Sequence, residues 1–210
     1  MATVMNSDAI PATADPAPAG RVVRHAGIDR LFHWLTATSV LTLMATGILP
    51  QLGVKWNWVV VHWSVGCVLI VLVVFHILRS LIWQRFRTMW FSGEEIVRKT
   101  VGKYTLAQKL MHLAMTMMIL GATITGGTML AKMDTPLWKR DPYIFAQQTW
   151  GTIYIIHGLA ALLAVTLVMV HVYFSILPEN RMYLRAMVKG WITRQELLRH
   201  HEAHVRKSAK

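Results

Sequence analysis

The 210-residue sequence predicts an all-α integral membrane protein with four transmembrane helices. The first observation is four long windows without Asp, Glu, Lys or Arg, and the second is the uneven placement of basic residues around them. A helix that crosses a hydrocarbon core about 30 Å thick needs roughly 20 apolar residues, and each window is long enough. The four windows are Leu31–Leu49, Trp56–Leu78, Leu110–Ala131 and Pro142–Pro178.

The basic residues alternate between the two sides of such a bundle. Of the 22 Lys and Arg residues, 18 fall before the first window, between the second and third, or after the fourth. Basic residues accumulate in cytoplasmic loops, so both termini and the central loop are predicted to be cytoplasmic. The net charge of +12 then reflects topology and contact with anionic lipid headgroups, and nucleic acid is not an expected partner.

The flanking segments complete the predicted domain organisation. Residues 1–20 are rich in Ala and Pro and lack a basic start with an apolar core, so we expect a disordered tail rather than a signal peptide. Residues 21–178 hold the transmembrane domain, with spans at approximately 31–49, 56–78, 110–131 and 150–177. Residues 179–210 are predicted to form a basic cytoplasmic helix and tail. In the central loop, Ser92 is predicted to cap a short amphipathic helix through Glu95.

Histidines are concentrated in the predicted spans. Ionisable residues are costly in a bilayer, usually face the bundle interior and often mark function. One alternative is that they only hydrogen bond neighbouring helices, and the small residues Gly66, Gly151 and Gly158 could likewise serve helix packing or make room for a macrocycle. Six of the ten histidines lie in the spans, two near the outer side (His62 and His157) and four near the cytoplasmic side (His33, His76, His112 and His171).

A spacing of 14 residues separates His62 from His76 and His157 from His171. In an α-helix this spacing returns to within about 40° of the same face after about 21 Å. One face of each helix therefore carries a histidine near each side of the membrane, which predicts two b haems with bis-histidine ligation. Divalent metal transport is disfavoured because the spans contain no carboxylates.

The outer haem has one predicted ligand pair, His62 with His157. The cytoplasmic haem has His171 and a second ligand that spacing leaves open among His33, His76 and His112. Symmetry with the outer pair favours His76. The sequence lacks a CxxCH motif, so covalent haem attachment is not expected.

Several motifs resemble the cytochrome b (gamma) subunit of membrane-bound respiratory formate dehydrogenases, within the four-helix dihaem cytochrome b family. They are RHAGIDRLFHW at span one, HWSVG in span two, VGKYTLAQKLMH before span three, H-x13-H in span four and the tail VKGWITRQELLRHH. The resemblance covers roughly Arg21–His201. It implies a bacterial inner-membrane subunit that carries electrons from a partner iron–sulfur subunit through two b haems to the quinone pool.

The resemblance also implies site residues. It assigns His62 and His157 to the outer haem, and His33 with His171 to the cytoplasmic haem, so that His33 is preferred over His76. The exchangeable acceptor implied is menaquinone or ubiquinone. Its site near the cytoplasmic haem corresponds to Gly102–Lys109, where Thr105 and Ala107 replace the family's asparagine and glycine. The residues predicted to line the quinone site are Thr105, Ala107, Gln108, His112 and His171, with His112 as a candidate for proton handling.

The resemblance implies two partners, an iron–sulfur subunit and a molybdenum or tungsten catalytic subunit. Membrane lipids are expected around the bundle, and the sequence does not decide whether the complex forms a higher oligomer. The chain itself shows no nucleophile–base or hydride-binding motif, so no dehydrogenase catalytic residue is expected in it. Three alternatives remain at this stage. They are a standalone b561-type quinol or superoxide oxidoreductase, a cytochrome b subunit of another molybdenum, tungsten or hydrogenase complex, and a non-redox protein such as a histidine-lined transporter or a structural anchor.

Overall fold

A computed structural model describes residues 20–82, 106–136 and 138–198. Nearly all of the predicted N-terminal tail, the helix predicted to be capped by Ser92 through Glu95, and Thr105 lie outside these residues. Three short 3₁₀ turns follow α1, α3 and α4, at Leu49–Leu52, Leu130–Lys132 and Pro178–Asn180. The element order is β1 (Arg21–Val23), α1 (Gly27–Ile48), α2 (Trp58–Ile82), α3 (Leu106–Met129), α4 (Gln147–Ile176), α5 (Arg181–Lys189) and β2 (Trp191–Thr193).

Helices α1 to α4 are long and apolar enough to cross a membrane, which confirms the predicted four-span helical fold. The longest, α4, has 30 residues and so extends about 45 Å, well beyond the thickness of the hydrocarbon core. Every one of the four helices also turns large apolar side chains outward. Leu41, Val71, Ile124 and Leu162 are 53–67% exposed, which suits a surface that meets lipid rather than water.

Hydroxyl side chains within the spans bond to their own helix. Thr38 Oγ1 donates to the Trp34 carbonyl at 2.8 Å, and Ser39 Oγ donates to the Leu35 carbonyl at 2.8 Å. A hydroxyl in a bilayer has no water to bond, so donation to the carbonyl four residues earlier removes the cost of burying it. Bonds of this kind allow hydroxyl side chains to lie within the spans.

The chain divides into two compact units. The described part of the first, here the helix-bundle unit, comprises residues 34–82, 110–136 and 138–171. The described part of the second, here the terminal unit, comprises residues 20–33, 106–109 and 172–198. In the terminal unit β1 pairs antiparallel with β2, with Val22 opposite Ile192. The backbone N–H groups of Arg24 and His25 both donate to the Gly190 carbonyl, at 2.9 and 3.2 Å, and this continues the pairing past the strand.

Gly190 interrupts the C-terminal segment. It ends α5 in the left-handed conformation, with φ at +90°, and a Cβ at this position would lie 2.6 Å from Arg30 Nη1. Glycine is the residue that combines this backbone conformation with so close an approach. The chain then extends as β2 and becomes helical again at residues 194–198. The helix predicted in residues 179–210 therefore ends at Lys189 and is followed by Gly190 and β2.

Trp191 and Glu196 organise the charged side chains of the terminal unit. The guanidinium carbon of Arg21 lies 3.9 Å from the centre of the Trp191 ring, and that of Arg185 lies 5.1 Å from it. Arg185 also donates to the Glu196 carboxylate, whose oxygen accepts from the Thr193 N–H at 2.9 Å and the Thr193 hydroxyl at 2.8 Å. Cation–π contacts and charge-assisted hydrogen bonds thus connect the N-terminal segment, α5 and β2.

Acidification is expected to loosen this connection. Burial disfavours the charged form of Glu196, but hydrogen bonds from Arg185 and Thr193 outweigh it and hold the pKa of the carboxyl below its ordinary value of 4.5. A carboxylate with a lowered folded-state pKa stabilises the folded form at neutral pH, and this stabilisation is lost as the pH falls through that pKa. The protection of the β1 and β2 amides from hydrogen exchange, measured relative to their intrinsic exchange rates, should therefore fall below about pH 5, and Glu196→Gln should show weaker protection at neutral pH and a smaller response to acid. An equal acid response in both proteins would contradict the role of Glu196.

Candidate functional site

Two histidines face each other in the helix-bundle unit. His62 lies one turn after the start of α2 and His157 lies in α4. Their ring centres are 6.4 Å apart and the ring planes are inclined by 75°. An imidazole nitrogen binds a metal at about 2 Å, so this separation leaves room for one metal ion between the rings. The structure therefore brings together the two residues predicted as the outer haem ligands.

A threonine holds the Nδ1 atom of each ring. Thr46 Oγ1 is 2.7 Å from His62 Nδ1, and Thr125 Oγ1 is 2.9 Å from His157 Nδ1. Each hydroxyl also lies 2.8 or 2.6 Å from the carbonyl four residues earlier in its own helix. Because that carbonyl can only accept, the hydroxyl proton goes to it, and the threonine oxygen accepts from Nδ1–H. Nε2 of both imidazoles then carries the lone pair that a metal requires.

A glycine follows each of these threonines and lies beside the same ring. A Cβ on Gly47 would be 3.9 Å from His62 Cε1, and a Cβ on Gly126 would be only 3.1 Å from His157 Cε1. The second distance is shorter than a carbon–carbon contact normally allows, so His157 needs glycine at position 126. Each outer histidine thus contacts a Thr–Gly dipeptide of a neighbouring helix. The dipeptide of α1 contacts His62 in α2, and the dipeptide of α3 contacts His157 in α4.

Replacing these threonines with valine is expected to weaken haem binding at the outer site. Valine keeps the shape of threonine but removes the oxygen that accepts from Nδ1–H. The imidazole proton is then no longer held on Nδ1 and can occupy Nε2, the nitrogen that a metal requires. Loss of such an outer partner typically costs 10–100-fold in metal affinity, so Thr46→Val and Thr125→Val should lower haem retention and shift the reduction potential of one haem. Haem content and a potentiometric titration measure this. Thr128→Val is the matched control, because the Thr128 hydroxyl donates to the Ile124 carbonyl of its own helix, and an equal effect there would contradict the assignment.

The four remaining span histidines lie near the opposite helix ends. His33 and His112 are six residues after the starts of α1 and α3, His76 is six residues before the end of α2, and His171 is five residues before the end of α4. Each is therefore about 8–9 Å from the end of its helix. His33 belongs to the terminal unit and His171 to the helix-bundle unit, and their pairing stays a prediction.

An additional pair was not anticipated. The rings of His76 in α2 and His112 in α3 have their centres 6.3 Å apart, with planes inclined by 55°. Both belong to the helix-bundle unit. The sequence made His76 an alternative to His33 as the second haem ligand beside His171, and it assigned His112 to the quinone site. It gave no reason to expect the rings of His76 and His112 next to each other.

The predicted quinone residues are only partly described. Ala107 and Gln108 lie in the first turn of α3, where Ala107 is exposed and Gln108 is half-buried. His112 lies one turn after Gln108 and is exposed. Thr105 lies outside the described residues. The quinone site therefore stays a prediction.

Comparison with known proteins decides the family. The family model for prokaryotic cytochrome b561 matches residues 24–190. The chain belongs to the prokaryotic cytochrome b561 family. It is also 23% identical over 202 residues to the formate dehydrogenase cytochrome b556(fdo) subunit of Escherichia coli K12, covering 86% of this chain and 90% of that protein. The same subunit from Escherichia coli O6:H1 and O157:H7 gives the same values.

Membership of the cytochrome b561 family makes this chain a multi-pass membrane cytochrome b of the bacterial inner membrane. The residues present fit a b haem. Two imidazoles from different helices face each other, their Nδ1 atoms are held by threonines, and a glycine beside each ring avoids a clash. The interpretation as a histidine-lined transporter or a structural anchor without cofactor is not supported.

Some of the residues around the outer histidine pair were not predicted from the sequence. The glycines predicted to matter lie within six residues of a histidine on the same helix, but a Cβ on Gly151 or Gly158 would meet nothing within 4 Å, and a Cβ on Gly66 would meet Leu43 rather than a histidine. The glycines that contact the rings are on neighbouring helices. The recurrence of Thr–Gly in spans one and three was the available signal. The four missed residues are Thr46, Gly47, Thr125 and Gly126.

Proposed function

We propose that the chain is the membrane cytochrome b subunit of a respiratory formate dehydrogenase. The observation that carries the proposal is the outer histidine pair, whose threonine-held tautomers leave both Nε2 atoms free to bind iron. The E. coli relatives named as cytochrome b556 subunits of formate dehydrogenase match along most of both chains, which supports the assignment to formate. The motifs resembling the gamma subunit support it independently.

The chain would hold two b haems. His62 and His157 ligate the outer haem. His33 and His171 ligate the cytoplasmic haem, which is called the inner haem below. The contact of His76 with His112 supports His33 over His76 as the partner of His171. Two haems bound in this way would pass single electrons from one side of the membrane to the other. The protein fixes their ligation, their separation along the helices and their surroundings.

The expected orientation follows from the basic residues, which place both termini and the central loop in the cytoplasm. An iron–sulfur subunit would then dock on the outer face, bound in turn to a molybdenum or tungsten catalytic subunit. Menaquinone or ubiquinone would bind near the inner haem at the residues that the resemblance indicates. The Thr105 hydroxyl can donate to a quinone carbonyl, and Ala107 narrows the approach to the backbone. The full set is Thr105, Ala107, Gln108, His112 and His171.

Purification from the native membrane tests the proposal. A tagged chain should carry two b haems by reduced-minus-oxidised spectroscopy and pyridine haemochrome assay, and should co-purify with an iron–sulfur and a molybdenum or tungsten subunit. Formate should reduce both haems, and a quinone analogue should reoxidise them. Absence of a b-type alpha band would refute the haem assignment, and haems that formate does not reduce in the intact complex would refute the assignment to formate.

One rival function has specific support. The family model is named for cytochrome b561, which favours a self-contained quinol or superoxide oxidoreductase as the second candidate. The same purification separates the two. A solitary chain that turns over quinol or superoxide at full rate without other subunits would establish the rival and overturn the partner-subunit proposal.

A further inference from the structure

His76 and His112 form a second contacting histidine pair, on α2 and α3. Both lie six residues from the same end of the bundle's helices, predicted to be cytoplasmic, and their ring centres are 6.3 Å apart. Neither α2 nor α3 contains Asp or Glu. The two histidines are therefore the groups on these halves of the two helices that exchange protons near neutral pH.

The exposure of His112 distinguishes it from the outer pair. His62 and His157 are half-buried, whereas His112 is exposed although it lies within a transmembrane helix. A polar ring that faced only hydrocarbon would be costly, so its exposed edge must meet water or a polar ligand group. His112 also follows Gln108 of the predicted quinone motif by one helical turn, so a quinone bound there would lie close along α3.

The surroundings of this pair differ from those of the outer ligands. Among the described residues, glycines approach His62 and His157, but none comes within contact of His76 or His112. Two neutral imidazoles in this position are suited to passing protons on.

We propose that His76 and His112 are a proton-transfer pair that supplies the quinone with protons from the cytoplasm, an inference that rests on the proposed function. Reduction of a quinone to a quinol consumes two electrons, delivered by the redox chain of the complex, and two protons. For each proton, His76 accepts at one ring nitrogen from cytoplasmic water and releases from the other to His112 through one bridging water, because ring centres 6.3 Å apart are too distant for direct transfer. His112 releases its proton to a quinone oxygen, an O–H bond forms, and both imidazoles return to neutral.

The test uses the intact complex with His76→Phe, His112→Phe and His112→Gln. Stopped-flow mixing of the formate-reduced complex with a short-chain quinone analogue measures quinone reduction, and a pH-indicating dye measures proton uptake. All three variants should keep both haem spectra, while quinone reduction and proton uptake both fall by roughly 100-fold, the usual contribution of a positioned acid–base group. Glutamine keeps a hydrogen bond to the quinone but exchanges no proton, so His112→Gln should lower kcat with little change in KM. Added imidazole should restore part of the rate in the phenylalanine variants.

Leu113→Phe is the matched control, since Leu113 is 45% exposed beside His112 and the change introduces the same ring without removing an imidazole. It should behave as the unmodified complex. Wild-type rates of proton uptake in the histidine variants would overturn the proton-transfer proposal and leave the proposed function intact. Loss of a haem from His76→Phe would overturn it by making His76 a ligand. Failure of the unmodified, formate-reduced complex to reduce quinone would overturn the proposed function, and this inference with it.

Discussion

Gly126→Ala is expected to lower the occupancy of the outer haem site strongly while leaving the inner site filled. The added Cβ would lie 3.1 Å from His157 Cε1 and 3.6 Å from its Nδ1. The ring must shift by a few tenths of an ångström, and this misaligns Nε2 and strains the hydrogen bond from Nδ1–H to Thr125. Disturbing the support of a metal-bound histidine costs about 10–100-fold in affinity, so the purified chain should retain close to one haem instead of two. Pyridine haemochrome assay against protein concentration measures the ratio.

Gly121→Ala is the matched control, because it adds the same atom to the same helix. A Cβ there would meet the Ala160 Cβ at 3.8 Å, an ordinary van der Waals contact. Haem content should be unchanged in this variant. If Gly126→Ala and Gly121→Ala retain equal haem, the outer site does not depend on the position of the His157 ring that the structure shows.

His33→Ala is expected to remove the inner haem, and His76→Ala is expected to leave it in place. An iron with one of two axial imidazoles missing is held weakly and changes spin state, so the loss should show in both haem content and the alpha band. His33 is the ligand that the resemblance favours, and the contact of His76 with His112 gives His76 a different partner. Electron paramagnetic resonance of the oxidised chain provides a second measurement, because bis-histidine haems give low-spin signals.

The two variants are controls for each other, since each removes one imidazole at a similar distance from a helix end. His171→Ala should reproduce the spectrum of His33→Ala, because both lose the same haem. A loss of the inner haem in His76→Ala with retention in His33→Ala would reverse the assignment. Both haems would then be bound by histidines of α2 and α4, which is the arrangement that symmetry alone predicts.

The sequence was sufficient to predict the four spans and the proximity of His62 to His157, for physical reasons. A hydrocarbon core imposes a length and an absence of charge that are visible residue by residue. Histidines are rare within a hydrocarbon core. Among the span histidines, only His62 and His157 lie near the outer side, so each is the other's sole candidate partner at that depth. The prediction at the inner level was less determined because four histidines share that level, and rotation of one helix against another is not visible in a single sequence.

The features that escaped the sequence depend on contacts between helices or on one backbone angle. Thr46 and Thr125 resemble any threonine bonded to its own helix until their neighbours are known, and Gly47 and Gly126 resemble packing residues. Gly190 lies in the segment 179–210, which the sequence predicted as a helix and tail without marking a break at this residue. Its left-handed conformation, with φ at +90°, follows from the pairing of β2 with β1, which joins segments distant in sequence.

That strand pair has a consequence for how the protein is made. Residues 21–23 emerge from the ribosome before the four helices and residues 191–193 after them, so the partner of β1 does not exist until α4 has been synthesised. Two segments that share backbone hydrogen bonds lie in one compartment, so the chain between them crosses the membrane an even number of times. Until then β1 presents an unpaired edge, the kind of surface that quality control and aggregation both recognise. Closure of β1 on β2 therefore becomes possible only after all four helices have been synthesised.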